Sequence, residues 1–326
     1  MDNKVTKSRL SNFLSYEWIV MIILVVAVIF AWEFIYTVSG VRLSVGQQFK
    51  YYYDQNISTT GMDDFYNLIV EKNTFSYDVL EFNREGLTAE NNVLSIRLSI
   101  QEGDAIFTDN VRREDSEEDT VGYSRAEEVA DAFNMYTLDA LLSDAETYLS
   151  QFLVDGQTEI KKENLDKTKI ESYFLARMKK DNRFRKEDQK KQGVLYETAR
   201  LEKLCDEVAD FKTVLNYGDD AIFYRYTKYT QSKNRATKED SKKDYEFLYN
   251  REIENGRENA RYGINVGALP VGDKTQPSKF VKVAGAADAS NVVLMVFNFR
   301  NEQPDLQFET ISFINTLVRE CSTILG

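Results

Sequence analysis

One uncharged apolar stretch near the amino terminus constrains the chain more than any other feature. The segment from Trp18 to Trp32 contains no charged residue, and the apolar character resumes after Glu33 and continues to Val38. At about 1.5 Å per residue, a helix over this stretch would be roughly 31 Å long, which matches the hydrocarbon thickness of a bilayer. Residues 16–38 are therefore predicted to form a single transmembrane helix, with a main domain after it.

The residues around the apolar stretch predict its orientation. Aromatic rings favour both membrane interfaces, and such rings lie at both ends of the stretch: Tyr16, Trp18, Trp32 and Tyr36. The short amino-terminal side carries the basic residues Lys4, Lys7 and Arg9. By the positive-inside rule, residues 1–15 are predicted to be a cytoplasmic tail, and the chain from about residue 40 is predicted to be extracytoplasmic.

A cleaved signal peptide is the alternative interpretation of the same stretch. Val38, Ser39 and Gly40 are small enough for a cleavage site. The apolar run is longer than the core of a usual signal peptide, which favours an uncleaved signal-anchor in the cell membrane.

Composition excludes several functional classes. The chain contains no histidine, so neither a Ser-His-Asp site nor a histidine-containing zinc site can form. Cys205 and Cys321 are too few for a four-cysteine metal site. They form either one disulfide or two buried thiols, and the second alternative is favoured. No metal and no cofactor are predicted.

Charge limits the partners and the chemistry. The net charge of -12 disfavours nucleic acid and anionic head groups as partners of the main domain. Glycoside hydrolysis by paired carboxylates needs no histidine, but no acid stands out among the 53 acidic residues. The protein is therefore predicted not to be an enzyme.

The first part of the main domain alternates strands and helices. Strands are predicted near 48–53, 76–83 and 104–108, with helices near Met62 to Ile69 and over 88–101. This order implies an α/β fold with a parallel sheet, in which ligands bind beyond the carboxyl ends of the strands. The polar residues at those ends become the candidate site: Tyr53, Asp54, Thr108, Asp109 and Asn110.

The second part is predicted to be richer in helices, with a small sheet. Helices are expected over 125–153, in two or more segments of 158–216, near 240–257, and from Leu306 to Val318. Strands are expected at 221–229, 262–270 and 291–299. The pattern predicts two α/β lobes, residues 41–135 and residues 136–326. The acidic run at 114–119 lacks the spacing of a calcium loop and is predicted to be a solvated loop.

Three segments carry a resemblance to a known family. EFNREGLTAENNVLSIRLSIQEGDAIFTD, YGINVGALPVGD and NVVLMVFNFRNEQPDLQFETISFINTLV resemble, in this order, segments of the extracellular solute-binding proteins of ABC importers, of the sugar-binding kind. The resemblance implies a two-lobed, periplasmic-binding-protein type II-like fold. It also implies a sugar, peptide or other small polar ligand, and a transporter permease as partner.

The resemblance also assigns roles to the candidate residues. Asp109 and Asn110 would hydrogen-bond the ligand beside Tyr53, Asp54 and Thr108, and Tyr226 or Tyr229 would contribute from the second lobe. The hinge-crossing strand of the family is not found in the sequence. A non-transporting envelope interaction or assembly protein with a degenerate solute-binding fold is therefore the alternative function.

Overall fold

Strands from both halves of the chain meet in one six-stranded sheet. The computed structural model describes residues 18–39, 47–87, 91–99, 102–112, 114–115, 120–121, 124–178, 181–231, 251–253, 259–298 and 308–326. The chain divides into two units, residues 1–44 and residues 45–326.

The first unit contains one helix, α1, over Trp18–Ser39. The side chains described in it, those of residues 22–32, are exposed. Over the described part of the chain, the structure contains no helix with the length and apolarity that crossing a membrane requires. The transmembrane role of residues 16–38 stays a prediction.

The second unit is built on a mixed sheet with the strand order β2-β1-β3-β10-β9-β6. Its strands are β1 (Gln48–Tyr53), β2 (Glu81–Gly86), β3 (Ala105–Asp109), β6 (Phe223–Tyr226), β9 (Ala260–Asn265) and β10 (Val292–Val296). Two separate two-stranded antiparallel sheets are formed by β4 (Glu114–Asp115) with β5 (Thr120–Val121) and by β7 (Tyr229–Gln231) with β8 (Arg251–Ile253).

Seven helices of the second unit are described. They are α2 (Met62–Glu71), α3 (Asn91–Ser99), α4 (Arg125–Ala132), α5 (Leu138–Ser150), α6 (Lys167–Arg177), α7 (Glu187–Leu215) and α8 (Glu309–Cys321). Short polar side chains begin several of them: Ser124 caps α4, Thr137 caps α5 and Asp166 caps α6.

The first three sheet strands are parallel, as predicted. β1 lies between β2 and β3 and pairs with both in the same direction. The predicted strand at 48–53 is confirmed, whereas β2 begins five residues later than predicted. Residues 76–80 instead contact the helices: the Ser76 hydroxyl donates to Glu309 at 2.5 Å, and Asp78 accepts from Arg177 at 2.8 Å.

The fully apolar strands lie at the centre of the sheet. All five residues of β3 and all five of β10 are buried, as a strand covered on both faces requires. β10 runs antiparallel to both of its neighbours, β3 and β9. It therefore joins the parallel strands of the first half to β9 and β6 of the second.

The two faces of the sheet bury separate cores. The larger core lies between one face and helices α2, α5, α7 and α8, and it includes Tyr51, Phe107, Leu294 and Phe313. The smaller core lies under α3 and α4 on the other face. Its members include Tyr52, Ile106, Met295 and Tyr262. Alternation along each strand divides its side chains between the two cores.

Buried ion pairs hold α6 and α7 against the rest of the domain. Glu197 is fully buried and accepts hydrogen bonds from Arg177, Arg200 and the Tyr77 hydroxyl, all between 2.8 and 3.1 Å. Burial alone would raise the pKa of Glu197, but the two guanidinium groups outweigh it and lower the pKa. Glu197 is therefore a paired, charged core residue.

Two sequence predictions of helix are corrected. The helix expected over 125–153 is divided, because the backbone between α4 and α5 extends and pairs with the end of β10. The Tyr136 N–H donates to the Val296 carbonyl at 2.9 Å, and Met135 forms a bridge with Phe297. The helix expected near 240–257 is wrong at residues 251–253, which form β8. Residues 232–250 and 254–258 lie outside the described residues, as do residues 88–90 at the start of the helix predicted over 88–101.

The predicted lobe boundary passes through a continuous sheet. Strands β1 to β3 belong to the predicted lobe 41–135, and β6, β9 and β10 belong to the predicted lobe 136–326. The structure pairs them directly through β3 and β10 and places residues 45–326 in one unit. An α/β fold is thus present, and its division into two lobes is not confirmed.

The shared sheet predicts a steric effect at Gly263 in β9. A Cβ atom on this residue would lie 2.4 Å from the Leu294 carbonyl oxygen of β10 and 2.9 Å from Val293 Cγ1. We expect Gly263→Ala to lower the free energy of unfolding by about 1–3 kcal/mol, measured by thermal or urea unfolding. The control is Gly218→Ala, where a Cβ meets nothing within 4 Å. Equal stability of the two variants would argue against close pairing of β9 with β10.

Candidate functional site

The carboxyl ends of β1 and β3, where the sequence predicts ligand binding, lie at a topological switch point. We call this end of the sheet the ligand edge. After β1 the chain enters α2, which packs in the larger core, whereas after β3 it enters α4, which packs in the smaller core. Because the two connections leave to opposite faces, a crevice is expected between the carboxyl ends of β1 and β3. Four of the predicted residues, Asp54, Thr108, Asp109 and Asn110, meet here.

Asp54 is the buried charge of this edge. Asp54 is 1% exposed. Its carboxylate accepts hydrogen bonds from the Thr108 hydroxyl at 2.6 Å and from Arg125 Nε at 3.1 Å. Burial raises the pKa of Asp54, and the nearby Arg125 guanidinium and the Thr108 hydroxyl oppose that rise. The carboxylate is therefore satisfied by the chain itself.

Asp109 and Asn110 are also engaged within the domain. Asp109 is fully buried, and its carboxylate accepts from Asn56 Nδ2 at 2.8 Å and from the Val111 N–H at 3.1 Å. The Asn110 side-chain oxygen accepts from the Ser124 hydroxyl at 2.9 Å. These contacts tie the end of β3 to the loop after β1 and to the cap of α4.

The loop between β1 and α2 is covered by a distant segment. The Ser58 N–H donates to the Lys282 carbonyl and the Ala284 N–H donates to the Asn56 carbonyl, both at 2.8 Å. Gly61, with φ of 93°, caps α2 at a point where a Cβ would lie 2.0 Å from the Lys279 carbonyl oxygen. Residues 279–284 thus lie directly over the amino terminus of α2.

The tyrosines that the sequence predicted for the site make no described hydrogen bond to Asp54, Thr108, Asp109 or Asn110. Tyr53 is partly buried and packs against the larger core and Gly86. Tyr226 is buried in the smaller core at the carboxyl end of β6. Because β6 runs opposite to β3, Tyr226 at the carboxyl end of β6 lies at the opposite end of the strands from Asp109, so the structure does not bring it together with Asp54, Thr108 and Asp109. Tyr229 lies in β7.

Sequence reasoning missed Arg125, Ser124 and Asn56. Arg125 is the first residue of α4, a position where the helix dipole disfavours a cation. Its guanidinium reaches Asp54 and, through NH1, Glu128 at 2.8 Å. A basic residue directly after a serine cap is the sequence signal that points to such a partner.

A separate shallow groove of about 340 Å³ lies at the start of α6. It is lined by Gln151, Phe152, Asp166, Thr168, Lys169, Ser172 and Tyr173. The Lys169 ammonium already donates to the Leu153 carbonyl and to Asp155, each at 2.7 Å. No predicted site residue lines this groove, so it is distinct from the site formed by Asp54, Thr108, Asp109 and Asn110.

Asp104, directly before β3, has a strongly raised carboxyl pKa. Burial raises its pKa to about 7, although the Lys50 N–H donates to Oδ2 at 2.8 Å and opposes the rise. Nearby, Lys50 and Arg97 pair with Glu102 and Glu85. This group lies at the amino end of β3, beside the middle of β1 and the second half of β2. It is therefore away from the carboxyl end of β3, where Thr108 and Asp109 lie, and we interpret it as structural.

The remaining chemistry is limited. Within the described residues, no group of three or more histidine, cysteine, aspartate or glutamate side chains is placed to hold a metal ion. Cys205 and Cys321 are buried, free thiols, and burial raises the pKa of each to about 12. Both therefore remain protonated near neutral pH.

Comparison with protein-family models, with curated proteins and with solved structures finds no match to this chain.

The internal hydrogen bonds of Asp109 predict a structural cost for its removal. Asp109→Ala leaves the partly buried Asn56 amide and Val111 N–H without this acceptor. We expect the free energy of unfolding to fall by about 1–3 kcal/mol in urea titrations. Asp273→Ala, at an exposed position, is the control and should change it by less than about 0.5 kcal/mol. An unchanged Asp109→Ala variant would contradict the buried network.

The raised pKa of Asp104 predicts a pH dependence. Its pKa is about 7 in the folded chain and near 3.8 in the unfolded chain, so the folded state holds the proton more tightly. This residue therefore lowers stability progressively as pH rises from about 4 to 7. Asp104→Asn mimics the protonated acid. We expect its melting temperature, relative to that of the wild type, to increase between pH 4.5 and pH 8; a constant difference would refute the shift.

Proposed function

We propose that this protein is a membrane-anchored, extracytoplasmic interaction or assembly protein. Its α/β domain retains the ligand edge of a solute-binding fold but fills that edge with its own chain. The proposal rests on one observation, which is that the chain itself buries the polar side chains at the ligand edge. Asp54, Thr108 and Asp109 are each at most 1% exposed and are hydrogen-bonded within the domain.

The backbone contacts add to this argument. A solute that approaches the end of β1 would have to displace residues 282–284, whose hydrogen bonds hold the loop that contains Asn56 and Ser58. It would also have to replace Arg125 as the partner of a buried carboxylate, which costs more than pairing with an exposed one. Both requirements disfavour ordinary reversible binding of a neutral sugar.

The exposed apolar residues of α6 and α7 offer a surface for another protein. Leu195 is 63% exposed and Tyr196 is 46% exposed in the first half of α7, and Leu175 is 40% exposed in α6. Aromatic residues are enriched at protein interfaces, and a contiguous exposed apolar patch marks an interaction surface. A second protein of the cell envelope is the partner that we propose for this surface.

A membrane-tethered solute receptor is the second candidate. It would bind a sugar or another small polar ligand and supply it to an ABC importer. The switch-point position of Asp54, Asp109 and Asn110 favours it, because open α/β sheets bind their ligands there. In that case, residues 279–284 and Arg125 would have to move when the ligand enters.

Thermal unfolding of the full-length protein in detergent micelles separates the two functions. The test compounds are sugars, oligosaccharides and peptides at millimolar concentration, and circular dichroism follows unfolding. We expect no saturable rise in the melting temperature. A bound ligand at about 100 times its dissociation constant would add roughly 2.7 kcal/mol of stability. A rise that is lost in Asp109→Asn would favour the receptor.

Cross-linking in cells tests directly whether a second protein binds the surface around Leu195. A photo-reactive amino acid at position 195 is expected to give a discrete cross-linked product in intact cells. The same substitution at Glu171, an exposed position of α6, is the control and should give none. Products that are equal at both positions, or absent at both, would contradict an interface on this surface.

A further inference from the structure

The end of β1 has the features of a cation site that is already occupied. The Asp54 carboxylate is 1% exposed, and the Arg125 Nε lies 3.1 Å from its Oδ1 atom. Its other oxygen accepts from the Thr108 hydroxyl at 2.6 Å. A buried carboxylate needs such a cationic partner, because an unpaired charge at this depth is strongly destabilising.

Local helix chemistry does not explain why a cation lies here. Arg125 is the first residue of α4, whose first turn also carries Glu127 and Glu128, and whose cap is Ser124. Acidic residues suit this end of a helix and a basic one opposes the dipole. The position of Arg125 is therefore explained by Asp54, which belongs to a different segment 71 residues earlier.

The place that Arg125 fills is the place where a ligand is expected. Asp54 follows β1 at the switch point, and the guanidinium enters between the ends of β1 and β3 from the α4 side. Arg125 also donates to Glu128 at 2.8 Å, and the Glu128 side chain is 45% exposed. The arginine thus lies between a buried carboxylate and a carboxylate in contact with solvent.

We propose that Asp54 and Thr108 form a binding site for a guanidinium or primary ammonium group, and that Arg125 occupies this site as an internal ligand. The contact is autoinhibitory: it excludes cationic solutes from the edge while Arg125 is in place. Glu128 offers the guanidinium an alternative partner nearer to solvent. The ligand class follows from the groups that can accept its N–H bonds, which are one carboxylate and one hydroxyl oxygen in a buried place.

Removal of the arginine side chain tests the site by chemical rescue. In full-length Arg125→Ala, Asp54 loses its counterion, so the melting temperature should fall. Methylguanidinium chloride at 1–50 mM should then raise it saturably, by about 5 °C near saturation. Methylurea, which has a similar shape and no charge, should not. Sodium chloride at equal ionic strength corrects for screening.

Matched variants decide between a specific site and a general effect. Arg225→Ala also removes an arginine that pairs with an aspartate, Asp220, but at the exposed end of the sheet. It should show no rescue. Adding Asp54→Asn to Arg125→Ala removes the carboxylate and should abolish the rescue. If Arg125→Ala does not fold, Arg125→Gln keeps the length of the side chain without its charge and is tested in the same way.

The results separate this inference from the proposed function, on which it rests. A saturable rescue confined to Arg125→Ala or Arg125→Gln would support the cation site. No rescue, or equal rescue by methylurea or in Arg225→Ala, would overturn it. Binding of an uncharged solute by the wild-type protein would instead contradict the closed edge and leave the rescue result to be judged separately.

Discussion

The pairing of β3 with β10 is the interaction on which the domain depends. Both strands are buried on both faces, so every backbone group in them must find its partner in the sheet. Five residue pairs, from Val292 with Asp109 to Val296 with Ala105, meet that requirement. Since β10 comes nearly 200 positions after β3, the whole intervening chain has to return to the same sheet. This is why the helices between them pack on the sheet and not around a separate one.

The parts of the fold that could be predicted from the sequence are those with a local cause. The aromatic alternation of Gln48–Tyr53, the amphipathic pattern of Met62–Glu71 and the apolar run Val292–Val296 each report the burial of their own side chains. The break after α4 arises from pairing of residues near Met135 with Phe297, which no local pattern reports. Its local mark is the cap residue Thr137, which begins α5. The single sheet was missed for the same reason: strand partners across a long separation leave no mark in either segment.

The candidate site shows the same division between local and distant causes. A polar run after a buried strand correctly indicated that Thr108, Asp109 and Asn110 lie at the carboxyl edge, next to Asp54. Whether these polar side chains bind a ligand or other parts of the same chain depends on which distant segments lie against them. In this structure those segments are Arg125 and residues 282–284, and neither is adjacent in sequence to the residues that it covers. The separation of Tyr226 from these residues could not be predicted, because the direction of β6 depends on three successive strand pairings.

The distribution of tryptophan gives the molecule two independent optical signals. Both tryptophans, Trp18 and Trp32, belong to α1, whereas residues 45–326 contain tyrosine and phenylalanine as their only aromatic residues. Tryptophan emission therefore reports the surroundings of the amino-terminal helix alone. Tyrosine emission reports mainly the α/β domain, because 17 of the 19 tyrosines belong to residues 45–326, and Tyr16 and Tyr36 are the other two. Transfer of α1 between detergent, lipid and water can be followed by the wavelength of maximum tryptophan emission, while unfolding of the domain is followed by tyrosine emission in the same sample.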